Sequence, residues 1–505
     1  MENNKKLRNI HIVTIIIGTI FILLSVFHTN IWFDEAYSVG LADHSFGEIW
    51  RIGGGDVHPV LYYWMLHIIQ IITNGSILAY RLFSVIPIIL LGILGITHIK
   101  KDFDEQTGFL FSFFTFFLPF ILVYTNQIRM YSWAIYFVTL TAIYGYRLYK
   151  GKTTAKNWII FAIFSLASLY IHYYGLMAAG LINLFLLLHF WKKKNWKEIR
   201  NTLFFGVLQL ILYTPWLIYL LSQMHHVSSG FWIEFSFPTT LFELIGCQMN
   251  GVIPIWTGFA FNIVLFLILG MLYFKNKKLE DFNATRKAII IYISIIAAAL
   301  IIRYILKTSI LYYRYLFVIT GLYIFAVSNI LSKSKSKILV IVVCTAVVVI
   351  GLINNIEQIK ENYAVENGKQ IEYLKNNIEP NDVLVYKNIG NGSIFASNFK
   401  ENKQYYYNAD NWDIDVAYQA WAPQMKIYNN TDFLKEITGR IWIIDSENDD
   451  MYNELFKNDN DLYSLELPRI YKFAKKLKEN GLNINLENIN DIDSLIKEIK
   501  GAKNG

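Results

Sequence analysis

Cysteine is nearly absent from this chain of 505 residues, which holds only two. Cys247 and Cys344 are far apart and form neither a disulfide framework nor a metal-ligand spacing. Cys344 falls inside an apolar stretch and reads as an inert small hydrophobe. The chain also lacks an internal repeat, a glycine-rich phosphate loop and a zinc spacing. Charge is sparse, with Asp, Glu, Lys and Arg making up 17% of residues, and Ser222 to Pro254 contains no Lys or Arg. These gaps speak against disulfide-stapled scaffolds, phosphate-loop nucleotide enzymes and zinc sites.

What is abundant is apolar sequence, 54% of the chain, with 36 Phe and 33 Tyr. It comes in blocks rather than at the spacing of one buried core. Ile10–Thr29, Ile77–Ile99, Gly108–Val123, Tyr131–Leu148, Trp158–Ile171, Gly175–Phe190, Leu203–Leu221, Ile255–Phe274, Ala288–Leu306, Leu316–Leu331 and Ile338–Ile353 are each near the roughly 17–25 residues of a bilayer-spanning helix. Backbone in lipid must satisfy its own hydrogen bonds, so these blocks predict helices. The first reads as an uncleaved span rather than a signal peptide, because Asn30-Ile31-Trp32-Phe33-Asp34 follows it where small residues would mark a cleavage site.

Lys and Arg fall in alternate connections: the N-terminus, Lys100-Lys101, Arg147 to Lys156, Lys192 to Arg200, Lys275 to Lys287 and Lys333 to Lys337. This bias predicts a cytoplasmic N-terminus in the plasma membrane and makes the net charge of +7 a topology signal. No nucleic-acid partner is expected. Counting His58–Thr73 as another span would invert every later basic loop. It therefore reads as a juxtamembrane helix in an outer loop from Asn30 to about Ser76, together with the amphipathic stretch Ser45–Trp50.

The expected fold class is a multi-pass α-helical membrane protein of about eleven transmembrane helices with outer juxtamembrane helices, over 1–355. A small extracytoplasmic α/β domain is expected over 356–505. Within it, Asp382–Tyr386 and Arg440–Asp445 read as buried strands, and Ile470–Asn480 and Ile492–Lys500 as helices.

Ionisable residues at a membrane are costly and mark candidate sites. Asp34 and Glu35 are adjacent carboxylates in an apolar and aromatic run; burial would raise the affinity of either for a proton. Gly53-Gly54-Gly55-Asp56-Val57-His58-Pro59 combines glycines that permit close approach to a ligand with a proline suited to a helix start, where anions are favoured. Arg129, Arg303, Lys307 and Arg314 gather at outer helix ends. Each alone reads equally as a snorkelling side chain, but together they suit a lipid phosphate. Such a set would transfer a group from a lipid phosphate to a hydroxyl, with a carboxylate taking the proton. His225-His226 and Phe231-Trp232 in the long outer loop read as either a lid or interfacial anchors.

Phe33-Asp34-Glu35-Ala36-Tyr37-Ser38, Asp56-Val57-His58-Pro59-Val60-Leu61-Tyr62-Tyr63, Arg129-Met130-Tyr131, Ile171-His172-Tyr173-Tyr174 and Tyr313-Arg314-Tyr315-Leu316 occur in this order. The set resembles family 39-like glycosyltransferases, a group similar to the protein O-mannosyltransferases and the aminoarabinose transferase that modifies lipid A. The resemblance covers about 1–355. It implies the C-type glycosyltransferase fold, a polyprenyl-phosphate sugar donor, and inversion at the sugar carbon by direct displacement. The family's catalytic aspartate falls on Asp34, with Glu35 its neighbour and Asp56 in support. Donor-phosphate contacts would come from His58, Arg129, Arg303, Lys307 and Arg314. Tyr37, Tyr62, Tyr131, His172, Tyr173 and Tyr313 would line the substrate cavity. A monophosphate donor requires no cofactor; Asp34 with Asp56 is the pair that could hold a divalent cation. The acceptor would be an envelope glycan, lipid or protein. This chain departs from many relatives in having Pro59-Val60 where they carry two prolines, and its C-terminal domain shows no resemblance. The competing reading is a lipid or sugar transporter or flippase, which would favour ionisable groups at the bilayer midplane and inverted repeats.

Overall fold

The structure, a computed structural model, describes residues 2–229, 233–249, 255–364, 366–387, 389–408, 419–421, 425–444, 478, 497 and 499–500. The expected lid residues Phe231-Trp232 and both C-terminal helices lie wholly or mostly outside them. The chain divides into one unit of residues 1–370 and 414–421 and another of residues 371–413 and 422–505. The first break falls inside the helix Glu366–Asn377, beyond the end of the last long helix at Asn362.

The larger unit is helical. α1 (Glu2–Leu23) is followed by three short helices, α2 (Phe33–Ala42), α3 (Phe46–Gly54) and α4 (Leu61–Thr73). Next come α5 (Ile77–Leu94), a π turn (Gly95–Ile99), α6 (Lys100–Asp102), α7 (Glu105–Phe117), α8 (Pro119–Thr125) and α9 (Tyr131–Tyr149). α10 (Ala155–Ile171), α11 (Tyr173–Lys192), α12 (Trp196–Ser229), α13 (Thr239–Gly246) and α14 (Ile255–Asn276) follow. α15 (Phe282–Leu306), a 3-10 turn (Tyr313–Ile319), α16 (Thr320–Ser332) and α17 (Lys337–Asn362) complete the membrane part.

Each of the eleven expected blocks lies mainly on one of these helices or joined pairs. Among the described residues eight helices are long and apolar enough to cross a membrane, or nine if the bent pair α7–α8 is one span. The remaining two blocks are α9, with Ser132, Thr139 and Thr141 buried along it, and α10, which has 17 residues. The 54° bend between α7 and α8 has a local cause. Leu118 precedes Pro119 and is driven to an extended ψ of 124°, since proline disfavours helical backbone in the residue before it. α12 has 34 residues, about 51 Å at 1.5 Å per residue. It therefore extends beyond a hydrocarbon layer of about 30 Å.

Four of the basic connections meet at one end of the unit, where the charges close on one another. Asp102 pairs with Arg147 at 2.6 Å and Lys152 at 2.9 Å, Lys333 pairs with Asp104 at 2.5 Å and Asp281 at 3.4 Å, and Lys150 pairs with Glu280. The opposite end carries α2, α3 and α4. α3 begins with a reciprocal capping box: Ser45 accepts from the Glu48 amide, and the Glu48 carboxylate accepts from the Ser45 amide. α4 has only 13 residues, too few for a span.

The smaller unit contains α18 (Glu366–Asn377) from residue 371 onward, β1 (Val383–Tyr386), α19 (Ile389–Asn398), β2 (Lys403–Tyr407), β3 (Lys426–Tyr428) and β4 (Ile441–Ile444). The strands form one parallel sheet in the order β3-β2-β1-β4. Val383, Val385, Tyr405, Phe433, Leu434 and Ile437 build its core. At the start of β1, the buried Asp382 accepts from Arg440 Nε at 2.8 Å, Arg440 Nη2 at 2.6 Å and Trp442 Nε1 at 2.8 Å. The two strands expected here are β1 and β4.

Candidate active site

α2 places two neighbouring carboxylates in different surroundings. Glu35 is 2% exposed and forms a bidentate pair with Arg81 of α5, at 2.6 and 3.0 Å. It also accepts from the Ile128 amide at 2.8 Å and the Trp32 amide at 3.3 Å. Arg81 spends its remaining donors on the carbonyls of His28, Asn30 and Asn126. The Glu35 carboxylate therefore has no face left for a substrate proton, and its geometry is that of a clamp joining α2, α5 and the turn before α9. Arg81 was absent from the expected site, although a lone charge inside the apolar block Ile77–Ile99 was the signal for it.

Asp34 faces the other way. Its Oδ2 accepts from Arg314 Nη1 at 2.6 Å, and its side chain remains 20% exposed. Its Oδ1 makes no hydrogen bond among the described residues. Arg314, at the 3-10 turn before α16, is caged by aromatic rings, with its guanidinium carbon 5.3 Å from the Trp32 and Tyr312 ring centroids and 5.9 Å from that of Tyr124. Such faces favour a cation without neutralising it. The buried Arg314 Nε has no hydrogen-bond partner among the described residues. Tyr313, beside it, lies near Tyr124.

Arg129 is buried and donates from Nη1 to the Asp34 carbonyl at 3.1 Å, the Ser38 hydroxyl at 3.2 Å and the Tyr63 hydroxyl at 3.4 Å. Asp56 accepts from His58 Nδ1 at 3.3 Å. Burial opposes ionisation of Asp56, but the bond from His58 and the charge of Arg129 outweigh it and hold this carboxyl below the usual range. Tyr37 lies beside Asp56; burial and that carboxylate keep its phenol protonated. Tyr131 adjoins both Arg129 and Arg314, and Tyr62 is buried with its hydroxyl 2.9 Å from that of Ser84.

His172 caps α11, where its Nδ1 accepts from the Tyr174 amide at 3.1 Å. Burial, with the charges of His58 and Arg129, lowers its proton affinity well below that of an ordinary imidazole. With His58, Tyr173, Tyr174 and Tyr315 it lines an apolar cavity of about 200 Å³, walled by Leu220, Met224 and Val227 of α12 and Ile302 of α15.

Other expected features fall elsewhere. Arg303 stacks on Phe235 at 4.1 Å, and Lys307 is exposed just past α15 with a φ of 56°; neither joins Asp34, Asp56 or Arg314. Their alignment on one helical face ends because α15 stops at Leu306. Pro59 is not the first helical residue: Val60 caps α4, so the anion-attracting helix start expected at Asp56–His58 is replaced by the Asp56–His58 pair itself. Gly53 and Gly54 lie in the last turn of α3, where side chains would overlap Val60 and Tyr219. These glycines admit neighbouring protein rather than a ligand. Gln223, not foreseen, donates to both their carbonyls at 3.2 and 3.0 Å and accepts from Tyr173. Asp34 and Asp56, the pair considered for a cation, are engaged by Arg314 and His58; among the described residues no group of three or more His, Cys, Asp or Glu is arranged for a metal.

No protein-family model matches the chain, and no curated protein matches it in sequence. A solved structure does match in three dimensions. ArnT from Cupriavidus metallidurans, in the apo state, aligns with a TM-score of 0.57 over 84% of this chain and 90% of its own, at 10% identity. The fold is that of ArnT. The architecture implied by the ordered motifs is the one observed. At this identity the likeness to ArnT is one of architecture.

Proposed function

We propose that this chain is a membrane glycosyltransferase that moves a sugar from a polyprenyl-phosphate donor to a hydroxyl acceptor at the outer face of the membrane. The observation that carries the reading is the half-open Asp34 carboxylate: the side chain is 20% exposed, one oxygen is fixed by Arg314, and the other makes no hydrogen bond among the described residues. The ArnT-like architecture supports a lipid-linked donor, and the charge bias of the loops supports the outer face.

In this reaction the acceptor oxygen attacks the anomeric carbon as the bond from that carbon to the phosphate oxygen breaks, inverting the centre. The acceptor proton passes to Asp34 Oδ1 as the new bond forms. The electron pair of the broken bond leaves with the polyprenyl phosphate. Arg314, half held by Asp34 and half by aromatic faces, turns its fork to that phosphate, with His58 beside it. Arg129 and the Glu35–Arg81 clamp orient the helix that carries Asp34. Arg303 and Lys307, on the side of Ile302, draw the headgroup toward the cavity, and the apolar walls receive the first isoprene units. A monophosphate donor needs no metal to depart.

The test is transfer in proteoliposomes supplied with polyprenyl-phosphate sugars and envelope acceptors, with the anomeric configuration of the product determined. An inverted product supports the reading. Donor translocation without any transfer product would overturn it in favour of transport.

A further inference from the structure

One short piece of the C-terminal sequence belongs to the larger unit. Residues 414–421 group with it, and Gln419, Ala420 and Trp421 are described. These three residues, the strap, lie on α2 and α3. The Gln419 carbonyl accepts from His44 Nε2 at 2.9 Å, and the Gln419 side-chain oxygen accepts from Arg51 at 2.7 Å. Ala420 and Trp421 are 0% and 6% exposed. The Trp421 ring packs against Phe33 and Tyr37, with centroids 5.5 Å apart in each case.

The fit depends on one glycine. A side chain on Gly40, in the last turn of α2, would overlap the Ala420 carbonyl and crowd the Trp421 backbone. Within a helix glycine is less favourable than alanine. Its use here matches the close backbone approach of the strap. Phe33 is adjacent to Asp34. On the far side of Tyr37, the Tyr63 ring lies 5.7 Å away, and the Tyr63 hydroxyl accepts from the same Arg129 that holds the Asp34 carbonyl. The strap thus presses on the Asp34 helix both directly and through a continuous row of packed groups.

We propose that Trp421, seated through Gly40, is a positioning residue for Asp34, so that a segment distant in sequence completes the candidate active site. The proposal rests on the transferase reading above, and its consequence is a loss of turnover rather than of donor binding when the strap is unseated.

The experiment uses the full-length protein in proteoliposomes and compares wild type with Gly40→Ala, Trp421→Ala and Trp421→Phe. Donor affinity, single-turnover transfer and hydrogen exchange of the α2 amides are measured. Misplacement of a reacting group by about 1 Å can lower rates by up to roughly 10²-fold; we expect Gly40→Ala and Trp421→Ala to lose between about 10- and 10²-fold in transfer, with donor affinity unchanged and faster exchange in α2. Trp421→Phe should restore most of the rate. On helix propensity alone Gly40→Ala would strengthen α2, so a Gly40→Ala protein with unchanged or slower exchange and full turnover overturns the proposal. Faster α2 exchange in Trp421→Ala, combined with no transfer by wild type from any donor, would support the seating and sink the transferase reading instead.

Discussion

The two ends of the membrane unit handle charge differently. At the basic end several acidic groups are closed by cations: Asp102 serves Arg147 and Lys152, while Asp104 and Asp281 share Lys333. At the other end one carboxylate is closed more completely still, since Glu35 accepts from Arg81 and two amides. Among the described residues its neighbour Asp34 keeps an oxygen free of hydrogen bonds, and Arg314 keeps an unpartnered Nε. Closed pairs hold helices together, whereas an incompletely satisfied, partly exposed pair is where substrate groups can enter. The difference separates a fastening from a site without reference to any relative.

The comparison breaks most severely if Glu35 is removed. Glu35→Ala would strand the buried Arg81, a loss of about 3–5 kcal/mol, seen as a collapse in folded yield and melting temperature in detergent. Glu35→Leu combined with Arg81→Met should recover much of that stability. Arg314→Lys keeps the charge but loses the planar fork; transfer should fall by roughly 10²-fold while the melting temperature stays near wild type. At the basic end, Asp102→Asn should cost about 1–3 kcal/mol in thermal unfolding and leave transfer per folded molecule unchanged.

The smallest effect concerns pH and the smaller unit. Burial opposes the charge of Asp382, but hydrogen bonds from Arg440 and Trp442 overcome it and hold the carboxyl below the usual range. Its folded affinity for a proton is thus lower than its unfolded one. The stability it contributes is complete above about pH 4 and fades as pH falls through the lowered folded value. The Trp442 fluorescence transition should therefore hold its midpoint down to about pH 4 and decline below, and Asp382→Asn should flatten that decline.

Much of this was legible in the sequence. Block length and the alternation of basic loops sufficed for the helices and the short α4, because lipid leaves the backbone few alternatives. Asp34, Asp56, His58, Arg129 and Arg314 gather as expected. What the sequence did not reveal is which of two adjacent carboxylates would be sealed. Successive residues of a helix point about 100° apart, so one step along α2 changes every partner. Gly53 and Gly54 looked like room for a ligand but make room for Val60 and for Tyr219, the latter on α12, some 160 residues away. The seat of Trp421 on Gly40 spans 381 positions, and no local pattern announces it.

The most direct test of the account measures donor affinity and single-turnover transfer side by side in Asp34→Asn and in the wild type. We predict that Asn at position 34 leaves donor affinity and folding intact and slows transfer by about 10²–10⁴-fold. Transfer by Asp34→Asn at the wild-type rate would contradict the assignment of the open carboxylate as the base.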